Sequence, residues 1–194
     1  MLRAKATHPE GFRRAVREIS SMLLAEAARE WDTRLIEIET PLSGCKGHEL
    51  ARRIVLVPIL RAGLGMAEAM SQILPEADVG HLGLARDPVS LQPSTYLCRL
   101  PADLEAAQVL LLDPMLATGN SACQAVALLK KEGARSIQFL CLVACPPGLE
   151  RLRAAHPDVA IFTAAVDPEL NDSGYIVPGL GDAGDRYFGT HPIH

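Results

Sequence analysis

One stretch, Val109-Leu110-Leu111-Leu112-Asp113, restricts the fold more than any other part of the chain. Four consecutive aliphatic residues without polar alternation describe a strand covered on both faces, as in a parallel sheet sandwiched by helices. Asp113 to Asn120 reads as a turn, and Ser121 opens a helix whose apolar face carries Ala122, Ala125, Val126 and Leu129. Lys130 and Lys131 suit the negative end of that helix, and Gly133 stands where a terminating glycine belongs. Ile137 to Cys145 is a second buried strand. Strand, helix, strand at this spacing is a βαβ unit, so the expected class is α/β.

The rest of the chain extends the same pattern. Val16, Ile19, Leu23 and Ala27 fall at helical spacing and predict an amphipathic helix over about Gly11 to Trp31. Leu35 to Glu39 alternates like a half-buried strand, broken by Thr40-Pro41-Leu42-Ser43-Gly44. Ile54 to Ile59 is another fully apolar run, followed by Gly63, Gly65 and a helical pattern to about Leu74. Val79 to Leu84 suits a strand, whereas Ala85 to Pro101, with three prolines, reads as a long loop or flap. Pro147-Gly148 starts a short helix to His156, and Val159 to Val166 is a further strand. Gly174 to Gly189 reads as long and irregular, which in a compact domain points to binding. The whole chain, 1–194, is expected to be one domain.

Composition narrows the function classes. The 194 residues carry a net charge of −4, so no strongly basic nucleic-acid surface or electrostatic membrane grip is expected. The longest apolar runs are about seven residues, far below the ~20 needed to cross a bilayer. Met1 to Glu10 has no apolar core, so it is not a secretory signal. Five cysteines without a C-x-x-C pair argue against a disulfide framework, and Cys141 and Cys145 read as small buried hydrophobes. A reducing cytoplasm is the expected location.

The chemistry concentrates after the strand ending at Leu112. A carboxylate, a short loop with Thr118, Gly119 and Ser121, and a helix N-terminus lie where ligands bind a parallel sheet. Backbone N–H groups and the two hydroxyls form an anion cradle. A phosphate alone would be repelled by Asp113, which makes sense if the ligand also presents hydroxyls, as a ribose does. The plainer reading is that Asp113 and Ser121 cap a turn and a helix. No G-K-[ST] follows in this loop, and the loop is not a G-x-G-x-x-G, so it is neither a Walker loop nor a dinucleotide fingerprint.

Two more segments bear on this choice. Val57-Pro58-Ile59-Leu60-Arg61-Ala62-Gly63-Leu64-Gly65-Met66 also ends a buried strand with an arginine and glycines. Gly174-Tyr175-Ile176-Val177-Pro178-Gly179-Leu180 runs into Gly181-Asp182-Ala183-Gly184-Asp185-Arg186. With Asp113–Ser121, these resemble uracil phosphoribosyltransferases of the type I phosphoribosyltransferase superfamily, from about Phe12 to Thr190.

The resemblance implies a type I parallel sheet flanked by helices, with a small hood formed by the C-terminal glycine-rich segment. It implies transfer of the phosphoribosyl group of phosphoribosyl pyrophosphate (PRPP) to uracil, giving UMP and pyrophosphate. Asp113, Pro114, Met115, Leu116, Ala117, Thr118, Gly119, Asn120 and Ser121 would bind the 5-phosphate and ribose of PRPP. Arg61 and Arg86 would contact its pyrophosphate. Ile176, Gly181, Asp182 and Ala183 would read uracil, with Asp182 also near PRPP through Mg²⁺ and water. Arg61, Asp113 and Asp182 are the candidate catalytic residues. Mg²⁺ would come with PRPP and have no protein cage. At least a homodimer is expected, without nucleic-acid or membrane partners.

The alternatives are a catalytically weak PRPP- or nucleotide-sensing regulator and a phosphoribosyltransferase for another base. Some features depart from the family pattern. Asn120 stands in place of a usual glycine, where its tolerance of left-handed backbone would preserve the loop. Ala85 and Ala25 replace usual aromatics, and the chain begins almost directly at the first long helix.

Overall fold

A computed structural model describes residues 1–86 and 93–190, apart from the side chains of Arg86 and Pro93. The chain opens with α1 (Pro9–Ala28) and a hairpin of β1 (Thr33–Glu39) and β2 (Gly44–Leu50). The sheet then begins with β3 (Ile54–Leu60), α2 (Leu64–Ser71), β4 (Asp78–Val79), β5 (His81–Arg86) and β6 (Pro93–Arg99). β7 (Gln108–Leu112), β8 (Met115–Leu116), α3 (Asn120–Lys131), β9 (Ser136–Ala144), α4 (Pro146–Ala155) and β10 (Ala160–Val166) follow. The chain closes through β11 (Glu169–Leu170), β12 (Ile176–Val177) and α5 (Ala183–Phe188).

The main sheet runs β10-β9-β7-β3-β5-β6, with β4 paired to β3 and β8 to β9. Every pairing in it is parallel except that of β5 with β6. Side-chain alternation along the buried strands divides the core in two. Leu56, Leu110, Leu112, Leu140 and Leu142 pack with Phe12, Val16, Leu23 and Met66 of α1 and α2. Val55, Val57, Val109, Leu111 and Phe139 point the other way, onto Ala125, Val126, Leu129 and Leu152 of α3 and α4. Both faces are covered, which explains why these strands carry uninterrupted apolar runs. Cys141 and Cys145 are buried, and burial pushes the Cys141 thiol up to about 12.

Several expectations need correction. The stretch read as a flap contains β6, paired antiparallel with β5; residues 87–92 lie outside the described part. Its periodicity is masked by Pro93, which is tolerated as the first residue of an edge strand. β1 is mostly exposed rather than half-buried, because among the described residues it pairs with β2 alone and gives no side chain to either core cluster. The glycine-rich tail is not irregular throughout, since β12 pairs with β11 and α5 follows.

Candidate active site

The sheet places two loops side by side. β3 and β7 are parallel neighbours, with Pro58 opposite Leu112, so the turn carrying Arg61 and the loop beginning at Asp113 leave the same edge. After β3 the chain goes to β5 on one side, and after β7 to β9 on the other. Such a reversal opens a crevice between the diverging loops. The approach is close: a Cβ on Gly63 would lie 2.3 Å from the Leu112 carbonyl oxygen and 2.9 Å from the Ile59 nitrogen. Those obstacles are backbone, so only glycine lets the Arg61 turn fold against β7.

Asp113 is half-buried, and its Oδ1 accepts a hydrogen bond from the Met115 N–H at 3.3 Å. Burial raises its pKa to about 7, against the opposing pull of that N–H. Desolvation is the main cause, and further donors to the carboxylate would favour its charged form. Ribose hydroxyls are donors of that kind.

The loop continues through β8 to Gly119, the N-cap of α3, whose φ of +81° is left-handed. The expected compensation by Asn120 is therefore misplaced by one residue. Asn120 is already helical, and its Oδ1 instead accepts from Arg151 Nη1 of α4. Thr118 and Ser121 are half-buried beside the free N–H groups of the first turn.

The tail reaches the same place. Gly174 brings its backbone to the Thr118 methyl, where an added Cβ would sit at 3.8 Å. Asp182 N-caps α5, its Oδ1 accepting from the Asp185 N–H at 2.9 Å. Gly184 faces Ala62 of the Arg61 turn, with 3.7 Å between the two Cβ positions. Arg61 Nη2 donates to Asp185 Oδ1 at 3.3 Å, and its guanidinium stands 5.7 Å from the Phe188 ring centroid. Ile176 and Ala183 are buried, while Gly181 and Asp182 are exposed.

Thus the Arg61 turn, the Asp113 loop and the Ile176–Ala183 tail come together. Arg86 ends β5, which pairs with β3, but its side chain lies outside the described residues. Asp185, Phe188 and Arg151 were missed by sequence reading. Asp185 had a signal, since Asp182 and Asp185 bracket a helix start at the N-cap and third position. Arg151 had none. Among the described residues no group of three or more His, Cys, Asp or Glu side chains is placed to hold a metal.

The fold is that of the type I phosphoribosyltransferases. A hypoxanthine phosphoribosyltransferase from Staphylococcus aureus superposes with a TM-score of 0.55 over 81% of this chain and 76% of that one. At 14% identity that likeness concerns the fold alone. Residues 1–190 match the family model described as uracil phosphoribosyltransferase, and the chain belongs to that family. The uracil phosphoribosyltransferase of Dictyoglomus turgidum is 53% identical over 97% of this chain and 92% of its own length. That of Clostridium perfringens is 52% identical, over 97% and 91%. A solved protein of Aquifex aeolicus, 38% identical, superposes with a TM-score of 0.91 over 97% of this chain and 91% of that one.

Proposed function

We propose that the chain transfers phosphoribosyl from PRPP to uracil. The bond from ribose C1 to pyrophosphate breaks, a bond from C1 to a uracil ring nitrogen forms, and the proton of that nitrogen is released. The observation that carries this reading is the convergence of an arginine turn, a carboxylate-led anion loop and a glycine-rich tail at one sheet edge.

Each segment then has a task set by its chemistry. The N–H groups around Gly119, with Thr118 and Ser121, hold the 5-phosphate at the positive end of α3. Asp113 accepts from the ribose hydroxyls and keeps the sugar in register for attack. Pro114, Met115, Leu116 and Ala117 shape the floor beneath it. Arg61, joined by Arg86, faces the pyrophosphate, where negative charge grows as the C1 bond lengthens. Uracil lies against Ile176 and the Gly181–Ala183 backbone, with Asp182 at the PRPP side. Two separated carboxylates, Asp113 and Asp182, suit a Mg²⁺ ion that arrives on PRPP rather than one caged by protein. That ion would neutralise charge on the leaving group.

The same reading places the protein in a reducing cytoplasm, which its free cysteines favour. It also takes the protein to be at least a homodimer, in keeping with Leu35 and Leu42, exposed by 63% and 95% on the β1–β2 hairpin. No helix among the described residues is long and apolar enough to cross a membrane. The test is steady-state UMP formation with uracil, cytosine, hypoxanthine and adenine, with and without Mg²⁺. Uracil should be the only efficient acceptor. Absence of UMP formation with Mg²⁺, or equal use of a purine, would reject the reading.

A further inference from the structure

The tail proposed to read uracil is fastened to the opposite end of the chain. Asp167, directly after β10, is 5% exposed, and its carboxylate has two kinds of partner. Arg3 grips it with both terminal nitrogens, Nη1 to Oδ2 at 2.6 Å and Nη2 to Oδ1 at 2.8 Å. The Gly179 N–H donates to the same Oδ2 at 2.8 Å, and Arg3 Nη1 also donates to the Gly179 carbonyl oxygen at 3.2 Å. Arg3 and this backbone bond hold the Asp167 carboxyl below the usual carboxylate range, Arg3 contributing most.

Gly179 tolerates no side chain. It is left-handed at φ +57°, and a Cβ there would stand 2.0 Å from the Ile176 carbonyl oxygen. Ile176 and Gly179 are therefore the two ends of one tight turn. A second arginine repeats the connection one residue further on. Arg186, 7% exposed, donates Nη1 to the Leu180 carbonyl at 2.8 Å and Nη2 to the Ala4 carbonyl at 2.7 Å. Its guanidinium lies 4.5 Å from the Phe12 ring centroid. Residues 3 and 4 thus fix residues 179 and 180, and Gly181 to Ala183 follow without a break.

We infer that Arg3 is a positioning residue for base recognition, acting through Asp167 on the Gly179 backbone that sets the uracil-reading turn. The inference rests on the reading that Ile176 and Gly181–Ala183 contact uracil. Arg3 touches neither substrate. A bidentate guanidinium–carboxylate pair fixes direction as well as distance, which a lysine cannot reproduce. Backbone donors and acceptors discriminate between bases only when held in register, so loosening the turn should cost base affinity and base choice together.

The experiment measures KM for uracil, KM for PRPP, kcat and the uracil-over-cytosine ratio in five proteins: wild type, Arg3→Ala, Arg3→Lys, Lys130→Ala and Ala183→Val. Arg3→Ala should raise KM for uracil about tenfold and lower the uracil-over-cytosine ratio, with KM for PRPP within twofold. Arg3→Lys, which keeps the charge and most of the packing, should fall between it and wild type. Lys130→Ala removes the Lys130–Asp158 ion pair elsewhere in the fold and should leave KM for uracil unchanged. If Ala183→Val raises KM for uracil but both Arg3 variants leave it unchanged, or raise both KM values in proportion, the positioning role is wrong and the uracil site stands. If Ala183→Val leaves KM for uracil unchanged, the reading of the tail fails and the inference with it. Should Arg3→Ala not fold, Arg3→Lys alone decides between these outcomes.

Discussion

Arg61 Nη2 stands 3.3 Å from Asp185 Oδ1, joining the turn after β3 to the first turn of α5, 124 residues further along the chain. The cation proposed for pyrophosphate is thus bonded to the helix that follows the tail proposed to read the base. The arginine side chain remains 56% exposed, so the pair is worth little as a stabilising contact. Its interest is directional, since it orients Arg61 from the side of the crevice proposed to hold uracil.

Arg61→Ala should therefore lower kcat by about a hundredfold, corresponding to about 2.7 kcal/mol of lost transition-state stabilisation. Asp185→Asn, which leaves the cation in place, should cost less than about fivefold. Steady-state assays with Mg²⁺-PRPP read both, and unchanged kinetics in Arg61→Ala would remove the arginine from the leaving-group site.

Asp113→Asn should exchange activity for stability. Charge-assisted bonds to the ribose hydroxyls weaken, costing about 1.5–3 kcal/mol, or roughly tenfold to a hundredfold in kcat/KM for PRPP. The folded pKa of Asp113 lies above its ordinary value near 4, so the folded state holds the proton more tightly than the unfolded chain. Native stability then falls as pH rises from about 4 through about 7, where the group must ionise in its buried place. The neutral amide escapes that penalty. Thermal unfolding should show Tm higher in Asp113→Asn than in wild type at pH 8, with a smaller gain at pH 5. In the same pair, kcat/KM for PRPP should rise through pH 7 in wild type and lose that limb in the variant. A lower Tm for the variant at both pH values would contradict the burial argument.

Uracil recognition is expected to depend on peptide groups rather than side-chain polar atoms. Ala183 is buried beside Asp182, so Ala183→Val should crowd the base and raise KM for uracil. Ile176→Val only trims an apolar wall and should be mild. Cytosine leaves mismatched donors and acceptors, each costing about 1–3 kcal/mol. Equal use of cytosine by the wild type would defeat the backbone model.

The approach of Gly63 to β7 gives a separate test. Gly63→Ala places a methyl group against the Leu112 carbonyl, and relief requires the Arg61 turn to move away from Asp113. The expected result is a loss of about 1–3 kcal/mol in unfolding free energy, the usual cost of overpacking, together with a rise in KM for PRPP. Denaturant unfolding with an unchanged midpoint would show that the turn has more room than its geometry indicates.

How far the sequence announced all this depends on what each segment packs against. β3, β7 and β9 were legible because two layers of helix cover them, which forces long aliphatic runs such as Ile54–Ile59. β2 was missed because Gly44-Cys45-Lys46-Gly47 lies in a hairpin with little core beneath it, so burial imposed no pattern. β6 was hidden behind Pro93, and α5 behind the glycines around it. In the candidate site, Asp113 could be read because a carboxylate at the end of a buried strand stands out locally, whereas Asp182 came from the family resemblance alone, its helix start being hidden by the glycines. Arg3 and Asp167 could not, since their bond spans 164 residues and neither has a distinctive neighbour. Contacts of that range are decided by packing, which no local pattern encodes.

The desolvated carboxyl of Asp113 has one more effect, on heat. Burial, which raises the Asp113 pKa to about 7, favours the protonated form, whereas a sugar offering hydroxyl donors favours the ionised form. PRPP binding should then expel a fraction of a proton into the medium. The enthalpy recorded on titrating PRPP into the protein would accordingly vary with the ionisation heat of the buffer, more strongly at pH 6.5 than at pH 8.5, and Asp113→Asn would lose that dependence. Substrate capture at this site is thereby coupled to the acidity of its surroundings.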